Sequence, residues 1–137
     1  PLDDTPAAQL AQLSAFWSAL GMRLSTMSPQ QHDAVVAHIS HLPHLLASAL
    51  SGYLADQNHA WRDLAGGGLR DTTRIASGDA ALWQQIFDQN RGQLLSALSG
   101  FEQQLHQLKT ALSEHDCEAL TALLERGKSY RDQLRNG

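Results

Sequence analysis

Residues 94–112 form the stretch LLSALSGFEQQLHQLKTAL, which carries the most regular apolar pattern in the sequence. Its large apolar residues alternate spacings of four and three, at Leu94, Leu98, Phe101, Leu105, Leu108 and Leu112. A seam of this kind predicts a long helix that packs against another helix. The pattern leaves open whether that second helix belongs to the same chain or to a second subunit.

The rest of the chain also carries helix signals, whereas strand-like alternation is almost absent. Thr5 and Pro6 predict the start of a first helix that ends at Gly21. Ser28 and Gln31 belong to a capping box, S-x-x-Q, which opens a long second helix that continues into the mid-fifties. Further helix caps are predicted at Asn58, Asp79 and Asp116. The sequence therefore predicts an all-α fold, with residues 1–137 forming one domain.

Two segments give weaker local signals. Consecutive glycines at 66–68 are expected to end the short helix that follows Asn58, because glycine is costly inside a helix. The segment 69–78, LRDTTRIASG, is expected to be irregular. In the last helix the apolar residues are expected to face inward, at Leu120, Leu123, Leu124, Tyr130 and Leu134.

Composition restricts the class of protein. The 10 Lys and Arg residues against 14 Asp and Glu give a formal net charge of −4, and there is no basic cluster, so neither nucleic acid nor a membrane is an expected partner. The longest apolar run, LLASALSGYL, is short for a bilayer of about 30 Å. The single Cys117 cannot form an internal disulfide, which favours a cytoplasmic location. Because Pro1 rather than Met begins the chain, we expect a piece of a longer polypeptide.

The chemistry of the chain is concentrated in residues 32–44, HDAVVAHISHLPH. On a helix, one side of this stretch is apolar and the other combines small and polar residues, namely Asp33, Ala37, Ser40, His41, His44 and Ser48. Small residues leave room, and polar residues can line it. Pro43 lacks an N–H, so the carbonyl of Ile39 loses its helical partner and the helix should bend beside a pocket.

The histidines allow two less specific interpretations. His38, His41 and His44 stand at successive i, i+3 positions, and imidazole is a common metal ligand. The known zinc motif H-E-x-x-H does not occur here, so a metal site is disfavoured. In the second interpretation each histidine only satisfies a hydrogen bond in the core.

A second segment, GGGLRDTTRI at 66–75, suggests the ligand. Its glycines let the backbone approach a ligand closely, and Arg70 and Arg74 carry guanidinium groups that suit carboxylates. Asp71 is positioned to orient one of them. We therefore expect a small acid, although a surface salt bridge in a mobile loop would give the same sequence.

The two motifs HDAVVAHISHLPH and GGGLRDTTRIASGDAALWQQIFDQN, in this order, resemble the C-terminal helical domain of prephenate dehydrogenases, enzymes of tyrosine biosynthesis. The resemblance extends over nearly the whole chain. It implies NAD(P)-linked oxidative decarboxylation of prephenate to 4-hydroxyphenylpyruvate. It also implies a homodimer made by interleaving helices, which favours the subunit alternative for the leucine seam.

The resemblance also implies roles for individual residues. Arg74 would bind a substrate carboxylate, and His41, His44 and Ser40 would line the same pocket. Asp71 would pair with an arginine at the site, and Trp83 would form part of the wall. His32 and Asp33 would support the start of the helix, and no catalytic residue is assigned.

One element of the family is missing from the sequence. No G-x-G-x-x-G follows a strand, so we expect the N-terminal Rossmann domain, which binds NAD or NADP and carries the catalytic histidine, to be absent from this chain. The chain alone should then bind no dinucleotide and be inactive. Two other hypotheses stay open, namely a regulatory module that binds an aromatic acid such as tyrosine and a helical assembly domain without a ligand.

Overall fold

The computed structural model describes residues 1–2 and 4–134, and in this part of the chain it contains α-helices and no strand. A π-helical turn at Ala37–His41 joins the second and third helices, and 3₁₀ turns occupy His59–Leu64 and Arg74–Ser77. The predicted all-α fold is confirmed. The helices are α1 (Ala7–Ala19), α2 (Pro29–Val36), α3 (Leu42–Ala55), α4 (Gly67–Thr73), α5 (Ala80–Gln89), α6 (Arg91–Ser113) and α7 (Cys117–Gln133).

Local capping explains most of the helix starts. The Ser28 side chain accepts from the backbone N–H of Gln31, and the Gln31 side chain accepts from the backbone N–H of Ser28, so the predicted capping box is present. The predicted caps of the 3₁₀ turn at His59–Leu64, of α5 and of α7 are also confirmed, at Asn58, Asp79 and Asp116. At α1 the cap position is Pro6 rather than Thr5.

The predicted disturbance around Pro43 takes the form of a π-helical turn. The backbone N–H of Leu42 donates to the carbonyl of Ala37, five residues earlier, instead of four as in an α-helix. Pro43 follows directly as the second residue of α3, and it has no N–H to donate to the carbonyl of Ile39. The wide turn therefore allows one helical segment to accommodate an internal proline.

The expectation of an irregular segment after the three glycines is wrong. Gly66 is the cap position of α4, and Gly67 and Gly68 are its first helical residues. A 3₁₀ turn, Arg74–Ser77, follows directly after α4. A glycine can serve as an N-cap. The three glycines therefore follow the end of the 3₁₀ turn His59–Leu64 and also begin α4.

The chain divides into two compact units, residues 1–95 and 96–137. In the first unit, α3 packs against α4 and against the 3₁₀ turn Arg74–Ser77. The buried residues of the segment from α2 to α3 are Ala37, His41, Leu42, His44 and Ala47. Of the histidine side, Ala37, His41 and His44 therefore face the interior of the unit, whereas Asp33 and Ser40 are exposed. Val35 and Ile39, on the apolar side, are 41% and 65% exposed.

The second unit contains most of α6 and all of α7. Its buried apolar residues are the small Ala97 and Ala111, whereas Leu105 and Leu112 of the leucine seam are 50% and 60% exposed. In α7 the expectation of an inward apolar face holds for only part of the set. It is wrong for the exposed side chains of Leu124, Tyr130 and Leu134. The single chain thus leaves much of the apolar surface of this unit uncovered.

By length and composition, one helical segment, Pro29–Ala55, is apolar enough to cross a membrane. The buried core helix of a protein that never enters a bilayer can meet the same two criteria. In this segment His41 and His44 are both buried within the first unit. The expectation that a membrane is not a partner stays a prediction.

Candidate functional site

Two histidines and two aromatic residues meet between α3 and α5. The imidazole of His44 stacks on the indole of Trp83, with 3.6 Å between ring centroids and 15° between planes. Phe87 lies 5.5 Å from Trp83 and 6.2 Å from His44, again between centroids. His41 lies 6.4 Å from both Trp83 and Phe87. We call these four residues the histidine–aromatic cluster.

Helical spacing produces both halves of this cluster. Trp83 and Phe87 are four residues apart on α5, so they share one face of that helix. The side chain of Asp79 starts α5 by accepting from the N–H of Leu82 at 2.8 Å. His41 and His44 are three residues apart across the end of the π-helical turn. The two pairs meet where His41 and His44 are buried against α5.

Gly78 completes the geometry on the side of the 3₁₀ turn. A Cβ atom at this position would lie 2.6 Å from Nε1 of Trp83 and 3.0 Å from Cε1 of His44. Real Cβ contacts are not this short, so a side chain here would force the indole to move. The absence of a side chain at Gly78 thus lets the backbone lie close to the stacked pair.

An open cavity of about 590 Å³ lies beside the cluster, within the first unit. This volume is in the range of small-molecule sites, which are about 300–1,000 Å³. His44, Trp83 and Phe87 supply a flat aromatic wall, and Ser48, Ser51 and Arg91 supply polar groups. The Nη2 atom of Arg91 lies 3.5 Å from Oδ1 of Asp88, which also lines the cavity. Such a cavity suits a ring that carries a polar or charged substituent.

Burial keeps both histidines of the cluster uncharged. Loss of solvent lowers the pKa of His44 below its ordinary value of 6.5. The pKa of His41 is also lowered, mainly by burial and further by the charge of His32, while Asp33 acts in the opposite direction. At neutral pH each ring therefore offers one hydrogen-bond donor and one acceptor.

The structure brings together some of the residues predicted for the site. His44 and Trp83 line the cavity, and His41 is buried beside them in the cluster. Ser40 is exposed on the π-helical turn, and Asp71 is exposed on α4. Neither of these two residues lines the cavity.

Arg74, the residue predicted to bind a carboxylate, does not line the cavity in the single chain. It is the first residue of the 3₁₀ turn that continues to Ala76 and Gly78 in the cavity wall. Its side chain is exposed, and within residues 1–2 and 4–134 it forms no ion pair. Its guanidinium group is thus not committed to an acidic residue in the described part of this chain.

Sequence reasoning missed three residues that shape the site. Phe87 could have been found, since it stands four residues after Trp83 on a predicted helix. No local signal pointed to Gly78 or Arg91, because their importance depends on contacts made by the tertiary structure.

Among the residues that the structure describes, no three His, Cys, Asp or Glu side chains lie close enough to hold a metal ion. His38, the third residue of the i, i+3 series, is exposed, and its Nδ1 atom lies 2.8 Å from the carbonyl oxygen of Ala34. The three histidines therefore do not converge on one point.

Comparison with known proteins identifies the family. Residues 28–126 match the family described as prephenate dehydrogenase, dimerization domain. The chain is 34% identical to cyclohexadienyl dehydrogenase of Zymomonas mobilis subsp. mobilis, over 96% of this chain and 46% of that protein. It is 31% identical to prephenate dehydrogenase of Bacillus subtilis, over 98% of this chain and 37% of that protein.

Solved structures give the same result. An arogenate dehydrogenase from Synechocystis superposes with a TM-score of 0.87 and 32% identity, over 98% of this chain and 50% of that one. A prephenate dehydrogenase from Aquifex aeolicus superposes with a TM-score of 0.89 and 33% identity, over 98% of this chain and 48% of that one. The chain spans half or less of the length of these relatives. By sequence and by fold, it belongs to the family of prephenate dehydrogenase dimerization domains.

Proposed function

We propose that this chain is the dimerisation and substrate-binding domain of an NAD(P)-dependent prephenate dehydrogenase. The complete enzyme converts prephenate to 4-hydroxyphenylpyruvate in tyrosine biosynthesis. Residues 1–137 supply the subunit interface and half of the substrate pocket. The other half comes from an N-terminal dinucleotide-binding domain of the same enzyme, which works in the cytoplasm.

The stacked pair of His44 and Trp83 beside the cavity carries this proposal. A flat wall of conjugated rings favours a planar or nearly planar ring in the ligand. The Aquifex aeolicus relative was solved in complex with hydroxyphenyl propionate and NAD+, and the first of these is a phenol ring with a carboxylate. A ligand of that shape places its ring against the aromatic wall and its carboxylate toward a cation.

Arg74 supplies that cation in our proposal. A guanidinium group can hold a carboxylate through two parallel hydrogen bonds, which fixes the orientation of the ligand as well as adding affinity. Ser40 and Asp71 do not line the cavity of the single chain. In our proposal they contribute to the site in the complete enzyme, the carboxylate of Asp71 by orienting a guanidinium group. His41 and His44 stay neutral and offer hydrogen bonds without adding charge. These residues bind and orient the substrate, and none of them is assigned a proton-transfer step.

The dinucleotide supplies a hydride acceptor when it is bound, and we assign no site for it to this chain. A strand followed by a glycine-rich turn and a helix is the unit that usually holds a dinucleotide pyrophosphate. The sequence contains no G-x-G-x-x-G motif, and the described residues form no strand, so such a unit is not found in this part of the enzyme. NAD or NADP is accordingly bound by the N-terminal domain in our proposal.

Dimer formation accounts for the uncovered apolar surface. Leu105, Leu112 and Leu124 are each at least half exposed in the single chain. Fully burying an exposed leucine side chain contributes about 1.5–3 kcal/mol, so covering the exposed half of each of these residues contributes roughly half as much and supports a second copy as the occupant of this surface. The same surface supports a second candidate function, a helical assembly domain that binds no ligand.

Calorimetry with 4-hydroxyphenylpropionate separates the two candidate functions. The chain should bind this acid, and Arg74→Gln should weaken binding about tenfold or more, because a charge-assisted hydrogen-bond pair is lost. Arg62→Gln, at an exposed position of another 3₁₀ turn, is the matched control and should bind as the wild type does. Equal affinity in wild type and Arg74→Gln would remove Arg74 from the site. No detectable binding by any of the proteins would favour the assembly domain.

The same titration with L-tyrosine and with prephenate tests the regulatory alternative. A substrate domain should bind prephenate at least as tightly as it binds tyrosine. Tight binding of tyrosine with none of prephenate would instead indicate a sensor of the end product.

A further inference from the structure

Asn90 connects two parts of the first unit that are far apart in the sequence. Its Nδ2 atom donates to the backbone carbonyl of Asp33 at 2.8 Å and lies 3.3 Å from Nδ1 of His41. Among the described residues, no other side-chain hydrogen bond joins positions more than four apart. A single amide thus links the junction of α5 and α6 to α2 and the π-helical turn.

The carbonyl of Asp33 determines which way the Asn90 amide points. A backbone carbonyl can only accept, so the amide nitrogen, and not the amide oxygen, must face it. The same NH₂ group carries a second proton, and the Nδ1 atom of His41 lies within reach of it. Both protons of the amide are then used, one on each partner.

This arrangement restricts the protonation of His41. An NH₂ group has no lone pair to offer, so Nδ1 of His41 must be the acceptor and cannot carry a proton. In a neutral imidazole the single proton is then on Nε2. A protonated imidazolium would place two donors against each other at 3.3 Å, which agrees with the lowered pKa of His41.

The Nε2 atom of His41 stays available for a ligand. It has no hydrogen-bond partner among the described residues. In the described chain, every side-chain nitrogen or oxygen that is completely buried has a partner, so Nε2 of His41 is not completely buried. It is therefore not completely sealed from solvent, although the residue as a whole is only 9% exposed and lies behind the residues that line the cavity. A polar nitrogen that is left open in a buried residue is suited to bind a group from outside.

We propose that Asn90 is a positioning residue that holds His41 as the Nε2–H tautomer, so that this histidine presents a neutral hydrogen-bond donor to an acceptor oxygen of the ligand. The class of ligand follows from the donor. It bears a carboxylate, carbonyl or hydroxyl oxygen, and it does not need to donate a proton to His41. The role in ligand binding rests on the proposed function, whereas the tautomer is a property of the chain without ligand.

Nitrogen NMR of the histidine-labelled chain, without ligand, tests the tautomer directly. The protonated and bare ring nitrogens of a neutral imidazole differ widely in chemical shift, and a His41→Gln variant assigns the signal. The wild type should show a proton on Nε2 and none on Nδ1 of His41. A proton on Nδ1 would overturn the proposal without any variant being needed.

The Asn90→Asp variant tests whether Asn90 is the cause. A carboxylate can only accept, so it should transfer the proton of His41 to Nδ1 or add a second proton. Asn58→Asp is the matched control, because the Asn58 side chain accepts from the N–H of Ala60 and a carboxylate can do the same. The control should leave the His41 signal unchanged. An unchanged Nε2–H tautomer in Asn90→Asp would refute the role of Asn90.

Asn90→Ala keeps the test decisive should the aspartate variant fail to fold. With no amide, the signal of His41 should change from a single tautomer to a mixture of both. A tautomer that remains purely Nε2–H in this variant would refute the proposal. In the calorimetric titration, Asn90→Asp should bind the aromatic acid about tenfold more weakly, as expected for one lost hydrogen bond to a charged group. Failure of every protein to bind would count against the proposed function and leave the tautomer result intact.

Discussion

Replacing Trp83 by alanine should both destabilise the first unit and change the titration of His44. The indole stacks on His44 at 3.6 Å between centroids and also contacts Phe87 across 5.5 Å. Its removal takes away one face of the aromatic wall. It also opens His44, which is only 4% exposed, to solvent.

The expected loss of stability can be worked from the contacts. Truncating a fully buried tryptophan to alanine costs roughly 3–5 kcal/mol, and the loss is smaller here because Trp83 is only half-buried. The stacked pair adds about 0.5–1.5 kcal/mol beyond the buried area. We therefore expect the free energy of unfolding to fall by about 2–3 kcal/mol. The pKa of His44 should rise toward its ordinary value, because burial is what lowers it.

Urea unfolding followed by circular dichroism measures the first effect, and NMR titration of the histidine signals measures the second. Chain concentration must be held constant, since the stability of a dimer depends on it. Trp61→Ala is the matched control, because Trp61 is 55% exposed on a 3₁₀ turn and takes no part in the cluster. This control should change stability by less than about 1 kcal/mol and leave the pKa of His44 unchanged.

Two outcomes would contradict the reasoning. Equal stability of Trp83→Ala and Trp61→Ala would show that the stack contributes nothing to the fold. An unchanged pKa of His44 in a folded Trp83→Ala variant would show that the indole does not shield the imidazole.

Two further predictions concern assembly and pH. The double change Leu105→Glu and Leu112→Glu should convert a dimer to a monomer in sedimentation at micromolar concentration, because it would bury charges in the interface. The control Leu64→Glu, at an 81% exposed position outside α6, should remain a dimer. A double variant that is still dimeric would exclude the face of α6 with Leu105 and Leu112 from the interface. Because burial places the pKa of His41 and His44 below 6.5, the unfolded chain binds more protons between 6.5 and their folded values. The free energy of unfolding should therefore fall as pH decreases through that interval, by about 1.4 kcal/mol for each unit by which the pKa is lowered. Urea unfolding at a series of pH values measures this dependence. The free energy of unfolding should depend less on pH when His41 and His44 are both replaced by glutamine.

The positions of the helices could be predicted from the sequence because helix starts are local events. The capping box at Ser28 and the caps at Asn58, Asp79 and Asp116 each depend on a side chain and an N–H two or three residues away. The failure at 67–77 has the same origin. Glycines weaken the local helix signal, and packing of the following 3₁₀ turn against α3 compensates for it only in the folded chain.

The candidate site was predictable only in part. The histidine motif and the tryptophan can be found in the sequence, and the structure places His41, His44 and Trp83 together. Gly78 and Asn90 lie within the second motif, but no local pattern assigns either of them a role. Their importance arises from an indole five residues away in one case and from a carbonyl 57 residues away in the other.

By itself, then, the sequence determined that the chain is helical, where most of its helices begin, and that a histidine-bearing side opposes an apolar side on the segment from α2 to α3. Only the tertiary structure decided which residues of each side are buried, namely His41 and His44 on one side and Leu42 on the other. Helix formation depends on contacts within four residues, whereas burial depends on which distant surface is available. Trp83 and Phe87 of α5 cover the histidines, and Ile39 and the outer leucines of α6 remain uncovered in the single chain.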